Sequence, residues 1–312
     1  MQPPSDYGRL YLMTLTGRSR ELSVRRSLLG LSAVLASVVL TGCSSIFEGE
    51  PEGGGGPSSG SYEHPSGGQD VVVSVRVLGG YVPLEYNLRN TPNVLVLGDG
   101  TVIVAGVMDM SYPGPAINPL QTSTISEDQI QELLTAADEA GLLSEAIEYG
   151  SPSVTDMPDT VLELTTGGRT FSHSAYALGF DDGTTLGLND SEIAKREALK
   201  GFLDTAQGLV GADSEQYVPT DVVAYRLSAQ AAPPVEEPEL QQEPRIWPIA
   251  TAPPPVAGTD LTSCVEIAGP EAAPLLAALQ EATELTPWLI GTEPPARMAF
   301  RPLLPGDPGC EE

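Results

Sequence analysis

The chain is poor in the residue types that most often perform chemistry. Its 312 residues include two histidines and three cysteines, and aromatic side chains make up 5% of it. So few His and Cys side chains leave few ligands for a zinc site and few bases for a histidine-based catalytic triad. No motif indicates a cofactor. Basic residues are also scarce, 15 against 42 acidic ones, which gives a formal net charge of −27. Because this charge repels phosphate backbones, we expect no nucleic acid partner.

Long hydrophobic runs are absent except for one near the N-terminus. Residues 28–39 are almost entirely apolar and follow Arg25 and Arg26. The run is shorter than the ~20 residues that a membrane-spanning helix needs. A basic segment followed by a short apolar core is typical of a secretory signal. The run leads directly into a four-residue motif, Leu40, Thr41, Gly42 and Cys43.

This motif resembles the lipobox of bacterial lipoprotein signals at all four positions. The resemblance implies that residues 1–42 are a signal peptide and that Cys43 carries the lipid. Two acyl chains on one cysteine anchor a protein durably, whereas one chain binds only marginally. We therefore expect a lipid-anchored protein on the extracytoplasmic face of the cell membrane. A buried helix with a chance cysteine is the alternative, and the Arg pair leaves both Sec and twin-arginine export open.

Composition divides the remaining chain into four parts. Residues 43–69 are rich in Gly and Ser and are interpreted as the lipidated Cys with a flexible tether. Residues 70–228 form the main predicted domain. Residues 229–258 are rich in Pro, Ala and Glu and are interpreted as a linker or strap, in which Trp247 favours docking onto a domain. Residues 259–312 form a short C-terminal segment.

The main domain is predicted to be α+β, an antiparallel sheet with helices packed on one face. Residues 71–77 alternate with the period of a strand. Two hairpins follow, with turns at Asp99-Gly100 and Gly167-Gly168, and each precedes an amphipathic helix. Ser126 with Gln129 predicts a capping box for the first helix, and Asn189 or Asp190 predicts the cap of the second. A last strand is expected at residues 222–227, and its pairing with a C-terminal strand at residues 297–303, which would make one larger fold, is left open.

The C-terminal segment is predicted to be β-α-β and disulfide-linked. With Cys43 carrying lipid, Cys264 and Cys310 remain as a single possible pair in an oxidising compartment. Two free thiols or a metal pair are the alternatives. Because ~50 residues are marginal for an independent core, the segment either depends on the disulfide or packs on the first sheet.

A run of turn and cap signals between residues 93 and 210 carries a family resemblance. It comprises the Gly-Asp-Gly hairpin, a helix ending at Glu139–Leu143, the Pro158-Asp159 strand start and the Gly167-Gly168 turn. This run resembles uncharacterised secreted lipoproteins of high-GC Gram-positive bacteria, and it is similar to emfourin-type protease-inhibitor domains. The closing residues 301–310 resemble the tails of such lipoproteins. The resemblance implies an extracytoplasmic module and transfers no inhibitory residue.

Several candidate chemical sites have a simpler interpretation. Residues 56–60 match G-x-S-x-G, but the pattern lies in the predicted tether, without the strand and helix that the motif needs. Residues 181–192 have the length of an EF-hand loop but lack its central carboxylates and Gly. His64 lies in the predicted tether and His173 on a strand. Carboxylates at predicted turns leave glycoside chemistry open, with turn and cap roles preferred: Asp99, Asp109, Asp156 and Asp159.

Loops of the main domain carry an unusual share of the tyrosines. Residues 106–120 also contain Met108, Met110 and Pro113–Pro115, a composition suited to protein contact or to ordinary loop packing. We therefore expect a non-enzymatic module that binds or inhibits an envelope or secreted protein. An envelope enzyme that uses carboxylates, or a small-ligand sensor around Trp247, is the alternative. The flanking tyrosines are Tyr81, Tyr86, Tyr112, Tyr149 and Tyr176.

Overall fold

The structure is a computed structural model that describes residues 61–108, 111–144, 147–179, 187–211, 213–232 and 235–310. These residues belong to one compact unit, which spans residues 58–312. The lipobox, Cys43 and the G-x-S-x-G pattern lie outside the described residues. Within the described ranges, no helix combines the length and the apolar character needed to cross a membrane.

A seven-stranded antiparallel sheet forms the larger part of this unit. Its strand order is β6-β5-β1-β2-β3-β4-β7, so β1 lies near the middle and pairs with both β2 and β5. The register of β1 shifts between Val71 and Val73, which lets neighbouring valines reach the same core. The strands are β1 Val71–Gly79, β2 Val94–Leu97, β3 Thr101–Ala105, β4 Leu120–Thr124, β5 Pro158–Thr166, β6 Arg169–Tyr176 and β7 Glu215–Gln216.

Both predicted hairpins are present, and the first has a longer turn than expected. Three residues connect β2 to β3, and only Gly100 among them has a positive φ, +86°. A three-residue connection with glycine in the left-handed region is a common hairpin type, so Asp99 does not need a positive φ. In the second hairpin Gly167 and Gly168 both have positive φ, at 56° and 68°, as a tight two-residue turn requires.

The predicted α+β arrangement is confirmed, because two helices pack on one face of the sheet. They are α2, Glu127–Glu139, and α3, Asp190–Gln207; a five-residue helix, α1, spans Leu84–Leu88. Ser126 and Gln129 form the predicted capping box, and Asn189 caps α3 through the amides of Ser191 and Glu192. The apolar faces of α2 and α3 join valines and leucines of β1–β3 and β5 in the main core.

The strand at Val222–Leu227, β8, departs from the expected arrangement. The sequence places it in the main domain, but it forms the centre of a second antiparallel sheet, in the order β10-β8-β12. Its partners come from the C-terminal segment, so the expected β-α-β piece is completed by a strand from outside it. The remaining elements are β9 Arg245–Ile246, β10 Thr262–Ile267, α4 Ala272–Gln280, β11 Trp288–Leu289 and β12 Met298–Pro302.

The Pro-rich strap docks on this second sheet through Trp247. The indole is 7% exposed, lies parallel to the Phe300 ring at 6.1 Å and meets the Trp288 ring edge-on at 5.6 Å. Its Nε1 donates a hydrogen bond of 2.8 Å to the carbonyl of Thr251. With α4 and β8, these rings form a second hydrophobic core. The disulfide between Cys264 and Cys310 is present and holds the C-terminal turn against β10.

The first residues of the described unit already contact the main domain. Tyr62 Oη donates a 2.8 Å hydrogen bond to Asp138, and the carbonyl of Glu63 accepts hydrogen bonds from Thr166 and Gly167. Residues 61–69, which the sequence assigns to the tether, therefore lie against α2 and the β5–β6 turn.

Candidate functional site

Two loops meet at one end of the seven-stranded sheet. Residues 80–93 connect β1 to β2, and residues 106–119 connect β3 to β4. Because β1 ends where β2 begins and β3 ends where β4 begins, the antiparallel pairing brings both loops to the same end. The two loops carry six of the ten large hydrophobic side chains that are exposed among the described residues. We call them the loop-end surface: Tyr81, Val82, Tyr86, Val107, Met108 and Tyr112.

Backbone hydrogen bonds hold both loops in place. The amide of Tyr81 donates to the carbonyl of Asp156 at 3.0 Å, and the amide of Asn93 donates to Val75 at 2.7 Å. The amide of Gly106 donates to the carbonyl of Pro119 at 2.8 Å, which closes the base of the second loop. These hydrogen bonds hold the first loop at both ends and close the base of the second loop.

The two loops also contact each other through Arg89. Its Nη2 donates to Asn118 Oδ1 at 3.0 Å and to the carbonyl of Pro115. Its Nη1 pairs with Glu284, a residue of the C-terminal segment. Glu284 in turn accepts a 2.8 Å hydrogen bond from the amide of Gly114. Arg89 thus joins both loops to the second sheet.

A second ion pair reinforces this junction. Arg297 Nη2 lies 3.2 Å from Glu85 Oε2 and donates to the carbonyl of Glu284 at the same distance. Both acidic partners are partly exposed, with side-chain exposures of 28% for Glu85 and 22% for Glu284. The junction therefore combines charged groups of both signs, and it fixes the position of α1 beside β12.

The loop of residues 106–120, for which the sequence left protein contact and ordinary packing both open, divides into two parts. Val107 and Met108 are 85% and 53% exposed, and Tyr112 is 63% exposed. Ala116 is 1% exposed, because it packs into the core around Trp247 and its amide donates to the carbonyl of Ala282. Met110 lies outside the described residues. Only residues 107–112 of this loop contribute described side chains to the loop-end surface.

The five candidate tyrosines separate in the same way. Tyr81 and Tyr86 are 90% and 63% exposed and belong to the loop-end surface with Tyr112. Tyr149 is buried in the main core, where desolvation raises the pKa of its hydroxyl to about 12. Tyr176 is half-buried, and its hydroxyl donates to the carbonyl of Val154 at 3.2 Å. Tyr149 and Tyr176 therefore have structural roles.

The two histidines lie in different structural surroundings. His173 is 2% exposed, and its Nε2 donates to the carbonyl of Leu142 at 2.7 Å. Its ring meets Tyr149 edge-on at 6.0 Å within the main core. His64 packs at the start of α2, 3.0 Å from a carboxylate oxygen of Glu127, and this hydrogen bond lowers the pKa of Glu127. Both residues therefore have packing partners that account for their positions.

Asp99 lies far from the other two candidate carboxylates that the structure describes, Asp156 and Asp159. Asp99 lies in the β2–β3 turn, beside the start of β1, whereas Asp156 and Asp159 lie beside the end of β1. The nine residues of β1 separate these ends by ~25 Å, well beyond the 5–10 Å that two glycosidase carboxylates require. Asp109 lies outside the described residues.

The EF-hand hypothesis is also not supported by the described part of its window. Asn189 and Glu192 form a capping box at the start of α3, where Glu192 Oε2 accepts a 2.8 Å hydrogen bond from the amide of Asn189. Residues 181–186 lie outside the described ranges. In the part of the chain that the structure describes, no group of three or more His, Cys, Asp or Glu side chains can hold a metal ion.

Sequence reasoning missed the charged residues of the junction. Arg89 and Arg297 carry no motif, and each is separated from its acidic partner by about two hundred residues in the chain. The sequence signal for these two residues was weak. Each is one of few basic residues in an acidic chain, and each lies next to an apolar segment.

Comparisons of the whole chain with known proteins add no further constraint. No protein-family model, no curated protein and no solved structure matches it.

Proposed function

We propose that this chain is a lipid-anchored extracytoplasmic protein that binds another envelope or secreted protein through the loop-end surface. The observation that carries the proposal is the concentration of exposed aromatic and aliphatic side chains on two loops at one end of the sheet. Scattered exposed hydrophobic residues need no explanation, but a local cluster of them is typical of an interaction site.

The chemistry of this surface supports protein binding. Tyr, Met and other large apolar side chains are enriched at protein interfaces, where Tyr supplies apolar area and a polar tip with little loss of conformational entropy. The hydrogen bonds of Arg89 and Asn93 hold the first loop before binding, and that of Gly106 closes the base of the second. A preorganised surface loses less entropy on association, so its apolar contacts contribute more to affinity.

The charge of the chain indicates the kind of partner. With a net charge of −27, the protein attracts positively charged surfaces and repels acidic ones. The partner that fits is therefore a protein with an apolar contact patch surrounded by Lys and Arg. Complementary charge of this kind raises the association rate more than the final affinity, and salt reduces the effect.

The anchor is the second part of the proposal, and the lipobox-like motif at Leu40–Cys43 supports it. Lipid on Cys43 places the binding domain at the membrane surface, so the partner is captured locally. In the cells that make this protein, a Cys43→Ala variant is expected to lose acyl-chain labelling and to leave the membrane fraction. If the variant stays in that fraction, the lipid on Cys43 is not the anchor.

The binding proposal is tested by site-specific photo-crosslinking on intact cells. A photoreactive residue replaces Tyr86 or Tyr112 on the loop-end surface. Matched controls replace Val218 or Ile246, which are 71% and 78% exposed and lie outside it. We expect one discrete adduct from positions 86 and 112 and none from the controls.

The same experiment can contradict the proposal in two ways. Adducts of equal yield at all four positions would show that the contacts are unspecific. No adduct at positions 86 and 112 would remove the loop-end surface as the binding site. An adduct with a peptidase would further support the inhibitory form of the proposal, and inhibition would then be measured directly on that peptidase.

A further inference from the structure

One edge of the seven-stranded sheet is a long strand, β6, with no described strand on its outer side. β6 pairs with β5 over all eight of its residues, from Arg169 to Tyr176, without a shift in register. It is the last strand in the order of the sheet. The opposite edge differs, because β7 has only two residues. An open edge of this length is a place where a strand of another chain can add to the sheet.

The tight turn between β5 and β6 determines which backbone groups of β6 point away from the sheet. In a hairpin with a two-residue turn, the residues that flank the turn exchange two hydrogen bonds, and this pattern repeats at every second residue. Arg169 and Phe171 therefore bond to β5, as does every second residue after them. The residues between them direct their N–H and C=O groups outward. We call these outward residues the β6 edge: Thr170, Ser172 and Ser174.

The β6 edge is open among the described residues. Its backbone groups have no hydrogen-bond partner there, and the stretch ends at Tyr176, whose carbonyl accepts a 2.9 Å hydrogen bond from Arg196. All three side chains of the β6 edge are exposed, whereas Val161 and Thr165, on the same face of β5, are half-buried. This difference is the one that an uncovered outer strand produces.

The β6 edge also lacks the usual protection of edge strands. Lys, Pro and bulges commonly prevent unwanted pairing at a sheet edge. β6 contains neither Lys nor Pro, and its register with β5 has no bulge. Its one residue of the Arg, Lys, Asp and Glu types is Arg169, next to the turn.

We propose that the β6 edge binds an extended basic segment of a partner protein, which adds to the sheet as an eighth strand. Each residue of the β6 edge contributes one backbone donor and one acceptor to this strand. The added strand runs antiparallel to β6, because every pair in the sheet is antiparallel and such ladders are slightly more stable. This surface uses other residues than the loop-end surface and does not depend on it.

The neighbouring strand indicates a basic segment. Glu163 of β5 is exposed and lies directly opposite Ser172, and Asp159 lies near Ser174. A residue that bonds to Ser172 across the β6 edge places its side chain on the same face, with its Cα ~10 Å from that of Glu163. A Lys or Arg side chain reaches the carboxylate over this distance, since the short Ser172 side chain leaves the path clear.

A second copy of the chain fits this edge less well. Each copy carries a net charge of −27, so two copies repel each other. A two-fold pairing about Ser172 would place Ser172 opposite its counterpart and Thr170 opposite Ser174. Such a pair gives Glu163 no cation to contact, whereas a basic segment supplies one.

The test measures binding of a synthetic peptide, acetyl-Thr-Lys-Val-Lys-Val-Lys-Thr-amide, by isothermal titration calorimetry. The full chain carries Cys43→Ser, so that no acyl chain is attached. In the extended peptide the three lysines share one face, and their backbone groups point to one edge. A peptide with Glu in place of each Lys keeps the length and the strand pattern. We expect it to bind at least ~10-fold more weakly, because it sets like charges beside Glu163.

Two methylated peptides separate strand addition from simple charge attraction. In the proposed ladder, the lysine N–H groups face β6 and the valine N–H groups face solvent. N-methylation of the three lysines is therefore expected to abolish binding, and N-methylation of the two valines is expected to preserve it. A peptide that only follows the negative charge of the protein would respond to both changes in the same way.

Three variants of the protein locate the site. Ser172→Pro removes an outward N–H without removing a bond to β5, and it is expected to weaken binding at least ~10-fold. Glu163→Gln is expected to weaken binding ~2–5-fold, as loss of an exposed ion pair does. Glu239→Gln is its matched control, because it removes the same charge from an exposed position on the strap, and no effect is expected. Thermal unfolding checks each variant, and Glu163→Gln decides the result if Ser172→Pro does not fold.

Four outcomes would overturn the proposal. The first is no binding of the lysine peptide up to about 1 mM, a concentration at which even weak sites fill. The second is equal affinity for the lysine and glutamate peptides, or equal effects of the two methylation patterns. The third is an equal effect of Glu163→Gln and Glu239→Gln. The fourth is a dimer in sedimentation velocity that Ser172→Pro abolishes, because the occupant of the edge would then be a second copy.

Discussion

At the scale of single residues, Arg301 shows how a buried charge organises the C-terminal turn. Its side chain is 1% exposed and pairs with Asp307, whose side chain is 3% exposed. Its Nη2 also donates to the hydroxyl of Tyr225 at 3.0 Å and to the carbonyl of Gly309 at 2.8 Å. Arg301 and Asp307 therefore hold the last turn against β8.

We predict that Arg301→Met destabilises the protein by up to ~3–5 kcal/mol, because the buried carboxylate of Asp307 loses its hydrogen-bonded cation and keeps only Arg76, whose Nη2 lies 4.0 Å away. The matched control is Arg245→Met. Its partner Glu281 has a side chain that is 73% exposed, so this pair contributes at most ~1 kcal/mol. Urea unfolding of both variants measures the difference. Equal losses would show that Arg301 acts through packing or length and not through its buried pair.

At the scale of elements, short-range signals determine where helices and turns begin and end. Ser126, Asn189 and Gly141 all occupy the positions that their cap or turn chemistry predicts, since each acts on residues within one helical turn. Gly100 has an additional role. A Cβ at that position would lie 2.3 Å from the carbonyl oxygen of Ile125, so the β2–β3 turn packs directly on the residue before α2.

A pair of glycine substitutions separates backbone conformation from close packing. Gly141 has a φ of 73° and open space where a Cβ would lie, whereas Gly100 has a similar φ of 86° and the Ile125 contact. Gly141→Ala is expected to cost ~1–2 kcal/mol for the left-handed conformation alone. Gly100→Ala is expected to cost more, because a backbone carbonyl must also move. Thermal or urea unfolding measures both, and equal costs would contradict the close contact.

At the scale of the whole molecule, the fold depends on contacts between distant parts of the chain. β8 pairs with two later strands, and residues 114–118 of the β3–β4 loop pack beside residues 282–284. The disulfide adds a covalent link between β10 and the C-terminal turn. The two sheets are therefore joined by hydrogen bonds, ion pairs and a shared core.

These long-range contacts explain which predictions succeeded. The amphipathic periodicity of the sequence predicts the helices packed on one face, and the turn residues predict the hairpins. The disulfide follows because only two cysteines remain once Cys43 is set aside. The pairing of β8 with a strand near residues 297–303 is possible from the sequence but not decided by it, because the run Val-Val-Ala-Tyr-Arg-Leu suits the centre of any sheet, and the structure shows this pairing. The burial of Ala116 and the pairing of Arg89 with Glu284 also depend on three-dimensional neighbours that no local pattern encodes. The division of the loop at residues 106–120 between surface and core depends on the same contacts.

We predict that replacing both Cys264 and Cys310 with Ser destabilises the protein by up to ~4 kcal/mol, because the disulfide closes a long loop in the unfolded chain. Reduction of the wild-type protein with dithiothreitol is expected to have the same effect. Urea unfolding measures the stability of the double variant and of the reduced wild-type protein. The double variant in dithiothreitol is the control for any effect of dithiothreitol other than disulfide reduction. A stability unchanged by the substitutions would show that β10 and the tail are held by packing alone.

The position of Leu304 has a consequence for chains that are cut short. It packs with Leu95, Leu97 and Ile103 on the face of the first sheet that α2 and α3 do not cover. All seven strands of that sheet are complete by Gln216, about 90 residues earlier. A product that ends between these two points therefore carries every strand of the sheet but leaves these side chains uncovered, and exposed apolar surface of this kind makes a chain prone to aggregation.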